Sequence, residues 1–454
     1  MKFLGEKYLL SSDFALVLYE SVKDLPIVDA HNHCDVREIY ENKGWEDIWQ
    51  VEAATDHYVW ELMRRSGIDE ERITGKASNY EKWVALATVF PRFVGNPTYE
   101  WIHLDLRRRF GIQEIIRKET ADLIWNKTKE LLKKDHMKPR QLLVDMNVEI
   151  MCTTDDPADD LIYHKKLQEE FPAVRILPTW RPDRACRIDK PDWKDYIKKL
   201  EQRTNISIVN LDDFIEALKK THDYFAQLGC RCTDHAILEP NFEYVSKEEA
   251  SKIFSKALTG VATEKDAEKF LAYMMYQFGE MNVEKNWVMQ LHIGALRDYR
   301  DKLYKALGPD SGGDIVAGYV NIAKGMRQFF NYFDGRLKMV LYCLDPGCLP
   351  MIATIARAFE NVFIGAPWWF NDSPYGMRSQ LEYIATVDLL SNFVGMVTDS
   401  RKLMSYGSRT EMFRRVLCDV VANMVEKGQI PEPEAFELCK NLSYLRPKEF
   451  FFGR

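Results

Sequence analysis

Short apolar runs rich in valine, isoleucine and leucine recur along the chain, separated by longer stretches in which apolar residues return at helical spacing. The runs are LPIVDAHNH (25–33), VEIMCTTD (148–155), VRILPTW (174–180), CRCTDHAIL (230–238), NWVMQLHIG (286–294), LKMVLYCLD (337–345), NVFIGAPWW (361–369) and NFVGMVTDS (392–400). Near-continuous apolar runs of this length read as parallel strands covered by helices on both faces. Between them, DDFIEALKKTHDYFAQLG and GSRTEMFRRVLCDVVANMVEKG place apolar residues at helical intervals and stop at glycine.

Eight strand–helix units predict an α/β fold, a (β/α)8 TIM barrel. A doubly wound open sheet is the alternative, because periodicity does not reveal closure. The polar ends of the runs favour the barrel. In a barrel His31, Asp155, Trp180, Asp234, His292, Asp345, Trp368 and Asp399 would converge on the C-terminal mouth, where barrel active sites lie. From Val36 to Pro139 the strand pattern stops, and DHYVWELMRR, NYEKWVALATVF and TYEWIHLDLRRRF read as helices. The expected organisation is one barrel over residues 1–454 with a helical insertion, 36–139, after the first strand and over the mouth. Trp60, Trp83, Trp101 and Trp125 read as core of that insertion.

Composition narrows the class. Hydrophobic residues make up 46% and charged residues 29%, a globular composition, and a net charge of -7 gives no electrostatic reason to expect nucleic acid. Arg107, Arg108 and Arg109 read as one helix face. The sequence shows no signal-peptide pattern at MKFLGEKYLL and no stretch of ~20 apolar residues, so no membrane is expected and the cytoplasm is the expected location. The nine cysteines are scattered and read as reduced core residues. Cys230 and Cys232 form a lone C-x-C without the second pair that zinc needs. A homo-oligomer fits a barrel of this size.

The chemistry is concentrated at the strand ends. Alternation puts residues i and i+2 on one face, so His31 and His33 point the same way. In a closed barrel the first and last strands are neighbours, which brings Asp399 to the two imidazoles. Nitrogen and oxygen donors of this kind suit one divalent metal, Zn²⁺ first, with Mn²⁺ or Fe²⁺ as alternatives. His292 in QLHIGALRDYR is a further inward candidate. Arg181, Arg184, Arg297 and Arg401, beside Asp234-His235, crowd the mouth with guanidiniums, which favours an anionic substrate. Trp368 in WWFND suits the apolar face of a sugar. His57 and Tyr58 lie just inside the insertion, where Tyr58 could serve as acid or base. The segment GPDSGGD (308–314) lacks a P-loop lysine and reads as a flexible loop.

With DAHNH, ATDHYVW, GNPTYEW, TWRPD, the DH pair, QLHIGALRDYR, WWFND and TDSRK in place, the chain resembles the uronate (glucuronate) isomerases of the amidohydrolase superfamily over nearly its whole length. The resemblance implies a barrel of the metal-dependent hydrolase type that converts D-glucuronate to D-fructuronate and D-galacturonate to D-tagaturonate. It implies a metal on His31, His33 and Asp399, with Tyr58, Arg181, Asp234, His292, Arg297, Trp368 and Arg401 as further active-site positions. Asp399 with Arg401 would take a proton from a substrate hydroxyl. Tyr58, with His57 or His292, would move protons at C1 and C2. No strand-four lysine is present to bridge two metals, which favours a single ion. Two rival readings remain open at this level: a metal-dependent hydrolase acting on an anionic small molecule, and a barrel that binds sugar acids without turning them over.

Overall fold

A computed structural model describes residues 2–453. Seven of the eight apolar runs are strands: β1 (Ile27–Asp29), β2 (Val148–Asp155), β3 (Arg175–Trp180), β4 (Cys232–Ile237), β5 (Val288–Ile293), β8 (Met339–Cys343) and β9 (Val362–Ile364). They form one parallel sheet in the order β1-β2-β3-β4-β5-β8-β9. The sheet curls, and Gln290 of β5 reaches across its interior to donate to Ala30 O beyond β1 (3.1 Å). All six residues of β5 are buried, as a strand covered on both faces requires.

The connections are helical. Leu211–Gln227 carries a capping box of Asn210 and Asp213, and Glu264–Lys285 one of Thr263 and Asp266. The long helix Ser405–Glu426 follows the last run. Between β1 and β2 the chain is helical without a strand. His57–Arg65, Asn79–Val89 and Pro97–Arg109 lie where the sequence placed them. These helices build a second apolar cluster around Trp83, Phe90 and Ile102, which continues into β2 and β3 through Met151 and Ile176.

The eighth run departs from expectation. Residues 393–400 carry no ladder, so the main sheet has seven strands rather than eight. Gly395 (φ +89°) and Asp399 (φ +48°) both adopt left-handed backbone, which breaks strand pairing. A Cβ at Gly395 would also stand 3.0 Å from the Pro447 ring. The Asp29 side chain supplies part of the hydrogen bonding that a strand would have made, beside a backbone bond from Asp399 N to His31 O (3.1 Å). Asp29 Oδ1 accepts from Thr398 N (2.9 Å), and its Oδ2 accepts from Thr398 Oγ1 (2.6 Å). The segment still touches both edges of the sheet: Val394 N donates to Ile364 O (3.4 Å), and His33 N donates to Ser400 O (2.8 Å).

A second, two-stranded antiparallel sheet pairs β6 (Ala295–Leu296) with β7 (Ile315–Val316). The GPDSGGD segment lies between the helix Asp301–Leu307 and β7. No helix of the described residues is long and apolar enough to cross a membrane.

Candidate active site

In a parallel sheet all strands deliver their C-terminal residues to the same end, and the site is built there. Beyond β1 the backbone keeps alternating. Asn32 turns one way and donates from Nδ2 to Cys152 O (2.7 Å), while His31 and His33 turn the other way and meet edge to face, 5.0 Å between ring centres. Their Nε2 atoms stand 3.2 and 3.3 Å from one oxygen, Asp399 Oδ1. The left-handed turn aims Asp399, and its other oxygen accepts from Trp368 Nε1 (3.1 Å). One ligand atom from each of His31, His33 and Asp399 lies within 4.8 Å of the other two, a donor set that a single cation can bridge.

A second group shares His31. His292 Nδ1–H donates to Asp234 Oδ1 (2.6 Å), which fixes the tautomer and leaves Nε2 as the free lone pair. Asp234 Oδ2 stands 3.7 Å from His31 Nδ1 and 3.3 Å from Arg181 Nη1. His31 Nδ1, Asp234 Oδ2 and His292 Nε2 have no hydrogen-bond partner, and this trio is also close enough to hold an ion. It is sealed, with Asp234 fully buried, and Arg181 already neutralises its carboxylate. The His31–His33–Asp399 group is part-exposed, with the His33 and Asp399 side chains 21% and 13% exposed.

Asp56 caps the helix His57–Arg65, its Oδ1 accepting from Tyr58 N (3.0 Å), and so fixes His57 and Tyr58 at the mouth. His57 stacks on Trp369 (5.5 Å), and the Arg297 guanidinium lies over the same indole (4.9 Å). Tyr58 Oη is buried without a hydrogen-bond partner. Behind the Tyr58 ring lies Arg409, buried, which donates to Asp372 Oδ2 (2.6 Å) and Thr398 O (3.0 Å).

The protonation states follow from these contacts. Burial pushes His33 down to about 3 and, with help from Arg401, His57 down to about 4, so both are neutral. Burial also pushes His292 below its usual range, against the pull of Asp234. His31 is the exception: burial lowers it, but Asp234 and Asp399 together outweigh burial and raise it. Burial would protonate Asp399, yet the bonds from His31 and His33 hold it well below the carboxylate range. Asp234 is held low in the same way by Arg181 and His292. Burial, then Asp399, drives the Tyr58 phenol well above 10, so Tyr58 keeps its proton.

One cleft is lined by His31, His33, His57, Tyr58, Arg181, His292, Arg297, Trp368, Asp399 and Arg401, with Trp369 added; of the active-site positions that the resemblance implies, only Asp234 stands behind it. Other strand-end residues do not join. Trp180 points into the helix layer, donating to Thr221 Oγ1 (3.0 Å). His235, the neighbour of Asp234, stacks on Phe278. Asp345 caps a short turn at Gly347 N (2.8 Å), and Asp155 bonds Thr153 in the adjoining cleft. Arg184 leaves the site to pack on Tyr196. Sequence reasoning missed Asp310, which approaches Arg297 and Arg401, and it missed Arg409, which reads as part of an ordinary helix face.

The glucuronate isomerase family model matches residues 1–451. A curated uronate isomerase from Thermotoga maritima is 60% identical over 452 residues, covering 99% of this chain and 100% of the relative. The crystal structure of uronate isomerase from Thermotoga maritima superposes with a TM-score of 0.98 at 60% identity, covering both chains fully. That of glucuronate isomerase from Caulobacter crescentus gives 0.95 at 26% identity, covering 98% of this chain and 96% of that one. A putative metal-dependent hydrolase from Lactobacillus casei, 12% identical, gives 0.57 over 96% and 97% of the two chains, a likeness of fold alone.

Proposed function

The chain belongs to the glucuronate isomerase family and is an isomerase of uronates, and from that premise we propose how the cleft carries the reaction. The substrates are D-glucuronate and D-galacturonate, converted to D-fructuronate and D-tagaturonate through an enediol. The observation that carries this reading is the convergence of three guanidiniums, an ionised carboxylate, a neutral imidazole with a free lone pair and a protonated phenol on one cleft.

Arg297 and Arg401 hold the substrate carboxylate, and the Trp368 indole packs against the apolar face of the sugar. His292 Nε2 takes the C2 proton, made acidic by the C1 carbonyl, and Asp234 stabilises the imidazolium that forms. Tyr58 donates its proton to the carbonyl oxygen at C1, and Asp399, beside Arg401, takes the proton from the C2 hydroxyl. Return of the proton from His292 to C1 completes the ketose, and passage of the proton from Asp399 back to Tyr58 resets both groups, so no water is consumed. His57 supports Tyr58 at the mouth.

A divalent cation would be held by His31, His33 and Asp399, whose ligand atoms lie within 4.8 Å of one another. Zn²⁺ suits two imidazoles and a carboxylate, and Mn²⁺ or Fe²⁺ are the alternatives. When bound, it supplies a fixed positive charge that orients substrate oxygens.

In this reading residues 393–400 stand in the place of an eighth barrel strand, and the helices over 36–139 are an insertion that carries His57 and Tyr58 to the mouth. The nine free cysteines fit a cytoplasmic enzyme. The direct test is Tyr58→Phe assayed on both uronates. The account predicts a fall in kcat of about 10²-fold or more with KM changed far less. An unchanged kcat removes Tyr58 from proton transfer.

A further inference from the structure

The arginine pair assigned above to the substrate carboxylate already faces a carboxylate of the protein. Asp310 Oδ1 lies 3.5 Å from Arg297 Nη1 and 3.5 Å from Arg401 Nη2. We propose that Asp310 is an internal competitor for the substrate carboxylate: it occupies the Arg297–Arg401 pair in the free enzyme, a hexuronate displaces it, and it thereby sets the affinity for anionic sugars. The inference rests on the carboxylate-binding role given above to those arginines.

Three features support exchange rather than a permanent ion pair. Both contacts are long. A built, buried pair in the same protein, Arg409–Asp372, closes to 2.6 Å. Exposure is also uneven: the Asp310 side chain is 60% exposed, while those of Arg297 and Arg401 are 29% and 24% exposed. The acid can swing into water at little cost while the guanidiniums stay in place.

The backbone gives the third feature. Asp310 sits at φ +57°, between Gly308 at +81° and Gly312 and Gly313 at +88° and +85°. Glycine makes such a path easy and a swing of the tip inexpensive. The base of the loop is nonetheless pinned. Arg64 Nη1 donates to Ser311 O (2.6 Å), and Gly313 N donates to Glu61 Oε1 (2.6 Å). Glu61 and Arg64 lie on the helix that carries Tyr58. A tip hinged on a fixed base returns to the same arginines after each turnover.

Charge explains why a stand-in is useful. Arg297 is pushed below its usual range by burial and by the neighbouring Arg181. Guanidiniums gathered in one cleft repel each other, and a carboxylate between two of them offsets that repulsion. Exchanging the Asp310 carboxylate for that of the substrate leaves the charge between the arginines unchanged.

The test is steady-state kinetics of metal-loaded Asp310→Asn and Asp310→Ala on D-glucuronate and D-galacturonate. D-gluconate serves as a carboxylate inhibitor and D-sorbitol as a neutral one. Both variants should lower KM and the gluconate inhibition constant by about three- to tenfold, the reach of one or two loosely held, half-exposed ion pairs. kcat should stay within twofold, and sorbitol inhibition should not move. A KM that is unchanged or raised in both variants overturns the proposal, because Asp310 then aligns the arginines or touches the sugar. Arg297→Met separates this failure from a failure of the functional reading. A raised KM there keeps the arginine assignment whatever Asp310 does, and an unchanged KM removes both.

Discussion

Replacing Asp234 with Asn tests the pairing that arms His292. The substitution preserves volume but removes a buried charge that stands 2.6 Å from His292 Nδ1, 3.3 Å from Arg181 Nη1 and 3.7 Å from His31 Nδ1. With three donors around it, the carboxylate accepts from all sides, whereas an amide must turn its NH₂ toward at least one of them. If the NH₂ faces His292, the ring proton moves to Nε2 and the lone pair leaves the cleft. If it faces Arg181 and His31, donors meet donors. Either way the imidazolium formed in the reaction loses its counter-charge. At an effective dielectric of about 20, a unit charge about 4 Å away contributes about 4 kcal/mol, and the hydrogen bond retained by the amide offsets ~1 kcal/mol of that. A barrier raised by about 3 kcal/mol corresponds to a loss of about 10²-fold in kcat. The assay is kcat and KM for D-glucuronate, with bound metal measured by elemental analysis and folding checked by thermal melting. A variant that keeps its metal and a kcat within threefold of wild type would refute the assignment of His292 and Asp234.

Two further outcomes follow from the same contacts. Metal retention should fall as pH drops: His31 is raised above its ordinary 6.5 by Asp234 and Asp399, so protons begin to compete for it above that value. Dialysis against a chelator between pH 8 and 6, followed by metal analysis, reads this directly, and a flat metal content would contradict it. His222 is buried and pushed down to about 3, with Nε2 3.0 Å from Asn282 Oδ1. A depressed folded value contributes stability above the unfolded pKa of 6.5 that is lost as pH falls toward 3, at about 1.4 kcal/mol per unit. Urea melts of His222→Gln between pH 6.5 and 4.5 should show a slope smaller by about that amount, and an equal slope would show that the ring is not neutral in the fold.

The sheet was readable because a strand covered on both faces must be apolar throughout, and seven runs obeyed that rule. The eighth obeyed it too, yet residues 393–400 form no ladder. Their apolar side chains are mostly buried, but Thr398 bonds to the Asp29 carboxylate and the path needs left-handed backbone at Gly395 and Asp399, neither of which hydropathy records. The spacing of His31 and His33 carried their geometry fully, since alternation beyond β1 brings both Nε2 atoms to one oxygen. Choosing the last residue of each run was less reliable. Trp180 ends β3 but faces the helices, and it is the next residue, Arg181, that lines the cleft. Asp310 was hidden for another reason. A loop residue has no period, and its partner Arg401 stands 91 residues from it in the chain.

The central claim is that this cleft moves protons through an enediol, and isomerisation in D₂O addresses it most directly. Purified, metal-loaded protein is incubated with D-glucuronate and D-galacturonate in D₂O and followed by proton NMR. The account predicts ketose formation with solvent deuterium entering at C1, because the proton passes through an exchangeable imidazole in a cleft whose His33 and Arg401 side chains reach solvent. Ketose that stays free of deuterium at C1 through many turnovers would contradict the imidazole relay and point to direct transfer from C2 to C1.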